Sequence, residues 1–281
     1  MALSLTGKLA RLFACVLGLG LAAAHAETGV TADTIFVGQS APMSGPAAQL
    51  GQQMNLGAKL YFNAVNAAGG INGRKIELKV LDDFYEPDAA ARNTKTLLDD
   101  TKVFALFGYV GTPTSLAALK LASPAGVPFF APYSGAMALR EPFARNIFHV
   151  RASYNDETAV IVKQIHTTGL KRIAVIYNDD AYGKSGLDGV QRALASPAGQ
   201  GVTLAAQATV ARNTSDVQGA LGTVLAQKPD AIVVISAYQT VAALVKGAQA
   251  QGYGGQFYNV SFVGTKALAD ELGTAGGGAV I

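Results

Sequence analysis

Thr112, Ser134 and Gly135 are the residues whose types and placing most suggest chemistry, and that chemistry is binding. Two uncharged stretches, Tyr109–Thr112 and Tyr133–Gly135, each follow a short apolar run, at 103–107 and 127–131. They offer hydroxyls, the glycines Gly111 and Gly135, and a helix-start signal in which Thr112 stands at the N-cap and Pro113 at the first helical position. A helix start presents free N–H groups and the positive end of the peptide dipoles, so it holds an anion without a basic side chain. In an open parallel sheet such loops meet at the carboxyl edge, where ligands sit. The pattern predicts an uncharged cradle for a small carboxylate or other polar molecule.

Catalytic and metal chemistry lack comparable support. His149 and His166, the histidines outside the first 26 residues, have no Cys, Asp or Glu at metal-ligand spacing. No G-x-S-x-G elbow or P-loop occurs, and Gly38 and Gly45 with Pro42 between them do not form G-x-G-x-x-G. Asp82 and Asp83 follow a strand and read as solvated loop or cap residues. No nucleophile, base and orienter assemble, so the reading is a non-enzyme with no catalytic residue, metal or cofactor. Tyr109, Tyr133, Tyr238 and Phe262 either line an apolar cleft or pack beneath it. Ser44 and Gln49 are further polar loop candidates.

The elements that must position these residues alternate along the chain. Strands are expected at 34–38, 75–81, 103–107, 127–131 and near 146–152. Helices are expected from about Leu50 to Val65, from Pro87 to Asp100, from Thr112 and from Asp156 to Thr168, on apolar spacings of 3.6 residues. A second series follows, with strands at 172–177, 202–208, 231–235, 256–260 and 279–281. Its helices end near Ala195 and Ala226, run from about Thr240 to Ala250, and span Lys266–Leu272. Strand–helix alternation means parallel sheets with helices on both faces.

Residues 1–26 read as a signal peptide. Lys8 and Arg11 precede an apolar core, Leu12–Ala24, and Ala24-His25-Ala26 supplies small residues at a cleavage site before Glu27. The core is shorter than the roughly 20 apolar residues that span a bilayer. The single cysteine, Cys15, lies within this segment, so the exported chain relies on its core and not on disulfides. Loss of Lys8 and Arg11 brings the net charge of +3 close to neutral, which argues against nucleic acid or an anionic membrane as partner.

Three strings carry a resemblance: MSGPAAQLG at 43–51, NAAGGINGRKIEL ending at Leu78 and followed by Asp82-Asp83, and IAVIYNDDAYGKSG at 173–186. Together with Ala250-Gln251-Gly252 ahead of Gln256-Phe257, they are similar to the branched-chain amino-acid-type periplasmic solute-binding proteins of ABC importers, over Thr31–Ile281. The resemblance implies the type I periplasmic binding protein fold. That is two doubly wound α/β lobes, 27–149 and 150–281, joined by a hinge and closing on one small ligand. Members of that family cross back to the first lobe and return once more. This chain ends where the first crossing is expected, so the resemblance implies that the later part of lobe one is missing, with apolar surface and a strand edge exposed.

The resemblance also places the ligand positions. In the first lobe they fall on Leu50, Gly111, Thr112, Tyr133, Ser134 and Gly135. In the second they fall on Tyr182 and on positions near Ala237 and Ser261. Relatives that bind α-amino acids carry an aromatic at the former and an acid at the latter, where it takes the ammonium. Here the aromatic is displaced to Tyr238 and the acid is replaced by Ser261, with Asp179 or Asp180 as alternative partners for an ammonium. The implied function is an extracytoplasmic receptor, periplasmic after signal cleavage. It would capture an amino-acid-like molecule, organic acid or amide and deliver it to an ABC importer permease. A ligand-sensing subunit for a signalling system is the alternative.

Overall fold

The computed structural model describes residues 27–281, and the expected signal peptide lies outside them. Ten strands form two five-stranded parallel sheets. In the first, β1 (Thr34–Ala41), β2 (Lys75–Asp82), β3 (Ala105–Phe107), β4 (Phe129–Phe130) and β5 (Ile147–Phe148) lie in the order β2-β1-β3-β4-β5. The helices α1 (Ala48–Ala67), α2 (Pro87–Asp99) and α3 (Thr112–Ala122) make its crossovers.

After α4 (Tyr154–Thr167) the second sheet repeats the plan. Its strands are β6 (Arg172–Asn178), β7 (Thr203–Val210), β8 (Ala231–Ile235), β9 (Gln256–Asn259) and β10 (Ala279–Val280), in the order β10-β9-β8-β6-β7. Its helices are α5 (Ala181–Ala195), α6 (Gln218–Leu225), α7 (Tyr238–Ala250) and α8 (Thr265–Leu272). Counted within each half, both sheets run second, first, third, fourth, fifth. The repeat expected from alternation is therefore also a repeat of topology.

The sequence dictates these strands in two ways. The central strand β8, AIVVI, is buried at every residue, the continuous apolar run of a parallel strand covered on both faces. The edge strand β7 instead has buried, half-buried and exposed positions. Around the first sheet Leu97, Val103, Leu106, Tyr109, Ala118, Ala122 and Phe129 form one apolar cluster. A larger one under the second sheet extends to Ala41, Leu50, Tyr85, Val110 and Ala136, so apolar packing is continuous from the second sheet into the loops of the first.

Element boundaries shift where capping chemistry differs from expectation. Asp180 caps α5, accepting from Tyr182 and Gly183 N–H at 2.9 and 3.1 Å, so Tyr182 sits in the first helical turn. Tyr238 likewise opens α7. The helix α4 begins two residues early, on a capping box between Ser153 and Asp156. Apolar side chains are exposed at several places in the first half. Phe130 and Phe148 stack at 4.8 Å beside the edge strand β5, and Leu56, Leu60 and Tyr61 stand out from α1. Among the described residues no helix is long and apolar enough to cross a membrane.

Candidate functional site

The loops that leave the carboxyl ends of the two sheets meet each other. After β3 the chain turns at Gly108, then bridges to the β4 side through Val110 and Tyr133 before entering α3. Gly111, not Thr112, occupies the N-cap. Its φ is +99°, a conformation in which a Cβ is strained, and a Cβ there would lie 2.2 Å from the Tyr85 ring. This corrects the expected cap and frees the Thr112 hydroxyl. Thr112 Oγ1 lies 2.7 Å from Ser134 Oγ, and both residues are fully buried. Ser134 Oγ also accepts from Ala136 N–H at 3.2 Å. The two loops expected to form a cradle thus meet in this hydroxyl pair at the start of α3.

Gly135 supports it from behind. Its carbonyl accepts from Tyr154 N–H at 2.7 Å, and a Cβ would press within 2.7 Å of the Tyr154 ring. Two phenols flank the cradle. Tyr85 Oη lies 3.1 Å from the site of a Gly111 Cβ, and Tyr154 is close enough to Ser134 for that hydroxyl to oppose the rise that burial imposes on its phenol. Ser134 Oγ is nevertheless engaged with Thr112, and neither Tyr85 Oη nor Tyr154 Oη has a hydrogen-bond partner. Burial raises the Tyr85 phenol well above its ordinary value too.

The second half closes over this loop set. Phe262, on the turn Ser261–Val263, packs against Tyr182 at 4.5 Å, Tyr133 at 5.4 Å and Tyr85 at 5.9 Å. Tyr154 packs on Tyr182 at 5.4 Å. Tyr182 Oη donates to the Ser236 carbonyl at 3.4 Å. Leu50 is buried against Gly264, and Tyr238 Oη accepts from Gln49 N–H at 3.4 Å. Tyr133 Oη donates to the Ser261 carbonyl at 3.4 Å. Leu50 and Tyr133 of the first half thus meet the chain at 261–264 of the second, Gln49 meets Tyr238, and Tyr182 packs on Phe262, while Gly111, Thr112, Ser134 and Gly135 lie buried in the loops after β3 and β4. Tyr109 lies apart from them. It is buried under the first sheet, hydrogen-bonded to Thr94 at 2.9 Å and packed on Phe129.

Charges rim the cleft that sequence reasoning described as uncharged. Glu157, on the first turn of α4, accepts from Ser261 N–H at 2.7 Å and from Ser261 Oγ at 2.8 Å. Arg151 donates to the same Oγ and stacks over the Tyr133 ring at 4.0 Å. Glu157, from another element, therefore lies against the position where this chain carries Ser261. Arg212 ties the halves together, donating to Asp180 at 3.1 Å, to Glu86 at 3.0 Å and to the Tyr85 carbonyl at 3.1 Å. Asn213 donates to Glu86 at 3.1 Å. Asp179, one of the alternative partners for an ammonium, pairs at the surface with Lys184, and Asp180, the other, caps α5 and accepts from Arg212.

Asp82 staples its loop, accepting from Met43 and Phe84 N–H and from the Ser44 hydroxyl. Asp83 departs from the expected solvated role. It is fully buried and accepts from Ser40 Oγ at 2.8 Å and Tyr85 N–H at 2.9 Å, and burial raises its carboxyl to about 7. His149 contacts the Leu139 carbonyl at 3.0 Å, and burial lowers its ring below the usual range.

A family model described as periplasmic binding protein matches residues 34–281. The chain belongs to that family. A possible leucine/isoleucine/valine-binding protein from Rhodopirellula baltica superposes with a TM-score of 0.83 at 34% identity, covering 90% of this chain and 69% of its own. A substrate-binding periplasmic protein from Ralstonia solanacearum gives 0.80 at 32%, covering 87% and 69%. An amino acid binding protein of Pseudomonas aeruginosa is 28% identical over 274 residues, 97% of this chain and 69% of that protein. The match to Leu/Ile/Val-binding protein homolog 7 of Brucella abortus, at 29%, covers 60% of this chain and 45% of that one. These relatives place the chain in the branched-chain amino acid type, and it is shorter than they are.

Proposed function

We propose that this chain is an extracytoplasmic receptor whose two lobes, 27–149 and 150–281, close on one small organic acid, amide or amino-acid-like molecule. The observation that carries the reading is the buried pair Thr112 Oγ1 and Ser134 Oγ, set at a helix start beneath side chains of the opposite half. Lobe one receives the polar end of the guest there. Lobe two brings Tyr182, Tyr238 and the Ser261–Val263 turn over it and excludes water. Removal of water strengthens each polar contact, because the local dielectric falls. The polar contacts between the halves named above come mostly from residues at or just beyond the carboxyl ends of strands, with Gln49 from the start of α1 and Arg151 from the segment entering α4, as closure between two such sheets requires.

A non-enzymatic role accords with a site of hydroxyls, phenols and paired ions. The relatives are binding proteins and include a leucine-binding protein of Thermotoga maritima and a fatty acid ABC transporter substrate-binding protein of Thermomonospora curvata. By analogy with the latter, the closed receptor presents its cargo to an ABC importer permease in the periplasm, after cleavage before Glu27. Thermal-shift screening of the exported chain against amino acids, aromatic acids, short amides and dicarboxylates tests the binding role. A saturable rise in melting temperature with at least one class is expected, and no rise with any class would count decisively against it.

A further inference from the structure

The Ser261–Val263 turn is where the second half enters the first. Its own half fixes it. Glu157 on α4 accepts from Ser261 N–H and from Ser261 Oγ, and Val263 N–H donates to the Val260 carbonyl at 3.1 Å. So held, the turn carries its central side chain toward the other half. That side chain is Phe262, and none of its surface is exposed.

The socket belongs to the first half. The Phe262 ring lies 5.4 Å from that of Tyr133 and 5.9 Å from that of Tyr85, with Tyr182 of its own half behind it at 4.5 Å. Rings pack favourably at such separations. Tyr133 Oη donates to the Ser261 carbonyl at 3.4 Å, and Leu50 of α1 lies where a Cβ on Gly264 would come within 2.7 Å of it. Tyr85 and Tyr182 are as fully buried as Phe262. Cavities of about 670, 530 and 430 Å³ occur among the described residues, and none of the three is lined by Tyr85, Thr112, Ser134, Tyr182 or Phe262. At this separation of the halves, the protein's own ring fills the space between their loops.

Such burial is favourable without any further molecule. The pair between Arg212 and Glu86 adds to it, but Glu86 is half-exposed, and pairs of that kind are weak in water and screened by salt. The packing of the ring is not screened.

We propose that Phe262 is a built-in plug that holds the two halves closed with no guest between them. The closed shape then does not by itself report a bound guest. On the receptor reading, a guest enters between the halves only while the ring is out of its socket. Its apparent affinity is lowered in proportion to the time the ring spends there. The plug itself stands on the packing and not on that reading.

Small-angle scattering on the purified exported chain, with no guest added, tests this. The parent chain should fit the closed arrangement. Phe262→Ala should give a larger radius of gyration and a longer maximum dimension. Phe257→Ala is the contrast, because that deeply buried ring packs on Tyr253 within the second half. It should lower the melting temperature and leave the radius unchanged. Tyr133→Ala empties the socket from the other side at a half-buried position, so it carries the test if Phe262→Ala does not fold, and it should expand the chain in the same way. A parent chain already open would overturn the plug. So would a folded Phe262→Ala or Tyr133→Ala chain as compact as the parent, or equal expansion of Phe262→Ala and Phe257→Ala. Silence of every class in the thermal-shift screen would sink the receptor reading and leave the plug standing.

Discussion

Both oxygens of Glu157 accept from a single residue, Ser261, which lies 104 positions further along the chain. The contact joins the first turn of α4 to the turn that carries Phe262, and Arg151 completes it from the segment between the sheets. Glu157→Ala leaves the Ser261 N–H and hydroxyl without their acceptor. A loss of roughly 1–3 kcal/mol in stability is expected, as for partners left unpaired in a partly buried network. Chemical denaturation of the variant and the parent chain measures it.

Arg212 reaches from beyond β7 to Asp180 in its own half and to Glu86 and the Tyr85 carbonyl in the other. Arg212→Ala should favour the open form. The expected signs are a larger radius of gyration in solution scattering and about tenfold weaker ligand binding, the equivalent of ~1.4 kcal/mol of lost closure. An unchanged radius and affinity would remove Arg212 from the closing contacts.

Gly111 admits no side chain. Gly111→Ala adds positive-φ strain and a Cβ 2.2 Å from the Tyr85 ring, so a loss of about 2–4 kcal/mol is expected, with ligand binding abolished. Gly57, in α1 with open space around it, provides the contrast. Gly57→Ala should raise stability by up to ~1 kcal/mol, because alanine is the better helix former. Thermal unfolding of both variants checks the pair.

Asp83 gives stability a pH dependence of definite sign. Burial raises its carboxyl in the folded chain from 3.8 to about 7, against the pull of Ser40 and Tyr85. The folded state therefore holds a proton that the unfolded chain has released. Across that window Asp83's contribution falls as pH rises, by at most about 1.4 kcal/mol per pH unit, and it is flat above the window. Asp83→Asn should flatten the profile between pH 4 and about 7. Denaturation at a series of pH values reads this directly, and an unchanged slope would contradict it.

Much of the architecture could be read from local pattern, because a parallel strand such as β8 must be a continuous apolar run and its helices must show a 3.6-residue period. The loops at Thr112 and Ser134 were legible for the same reason, being short polar interruptions after such runs. Glu157 was hidden. It follows the Ser153–Asp156 capping box, where an acid is ordinary helix-start chemistry, and nothing local points to Ser261. Arg212 likewise sits in an irregular segment whose partners lie 32 and more than 120 positions away. That Asp180 draws Tyr182 into α5 is also not legible from spacing, because the strength of that cap depends on geometry.

The central claim is that the guest's polar end is received by Thr112 and Ser134 at the start of α3. A crystal structure of the liganded chain tests it most directly. The account predicts ligand oxygens within hydrogen-bond distance of both hydroxyls, with lobe two closed over them. A ligand seated elsewhere, or held chiefly by a salt bridge to Arg151, Glu157 or Arg212, would contradict it.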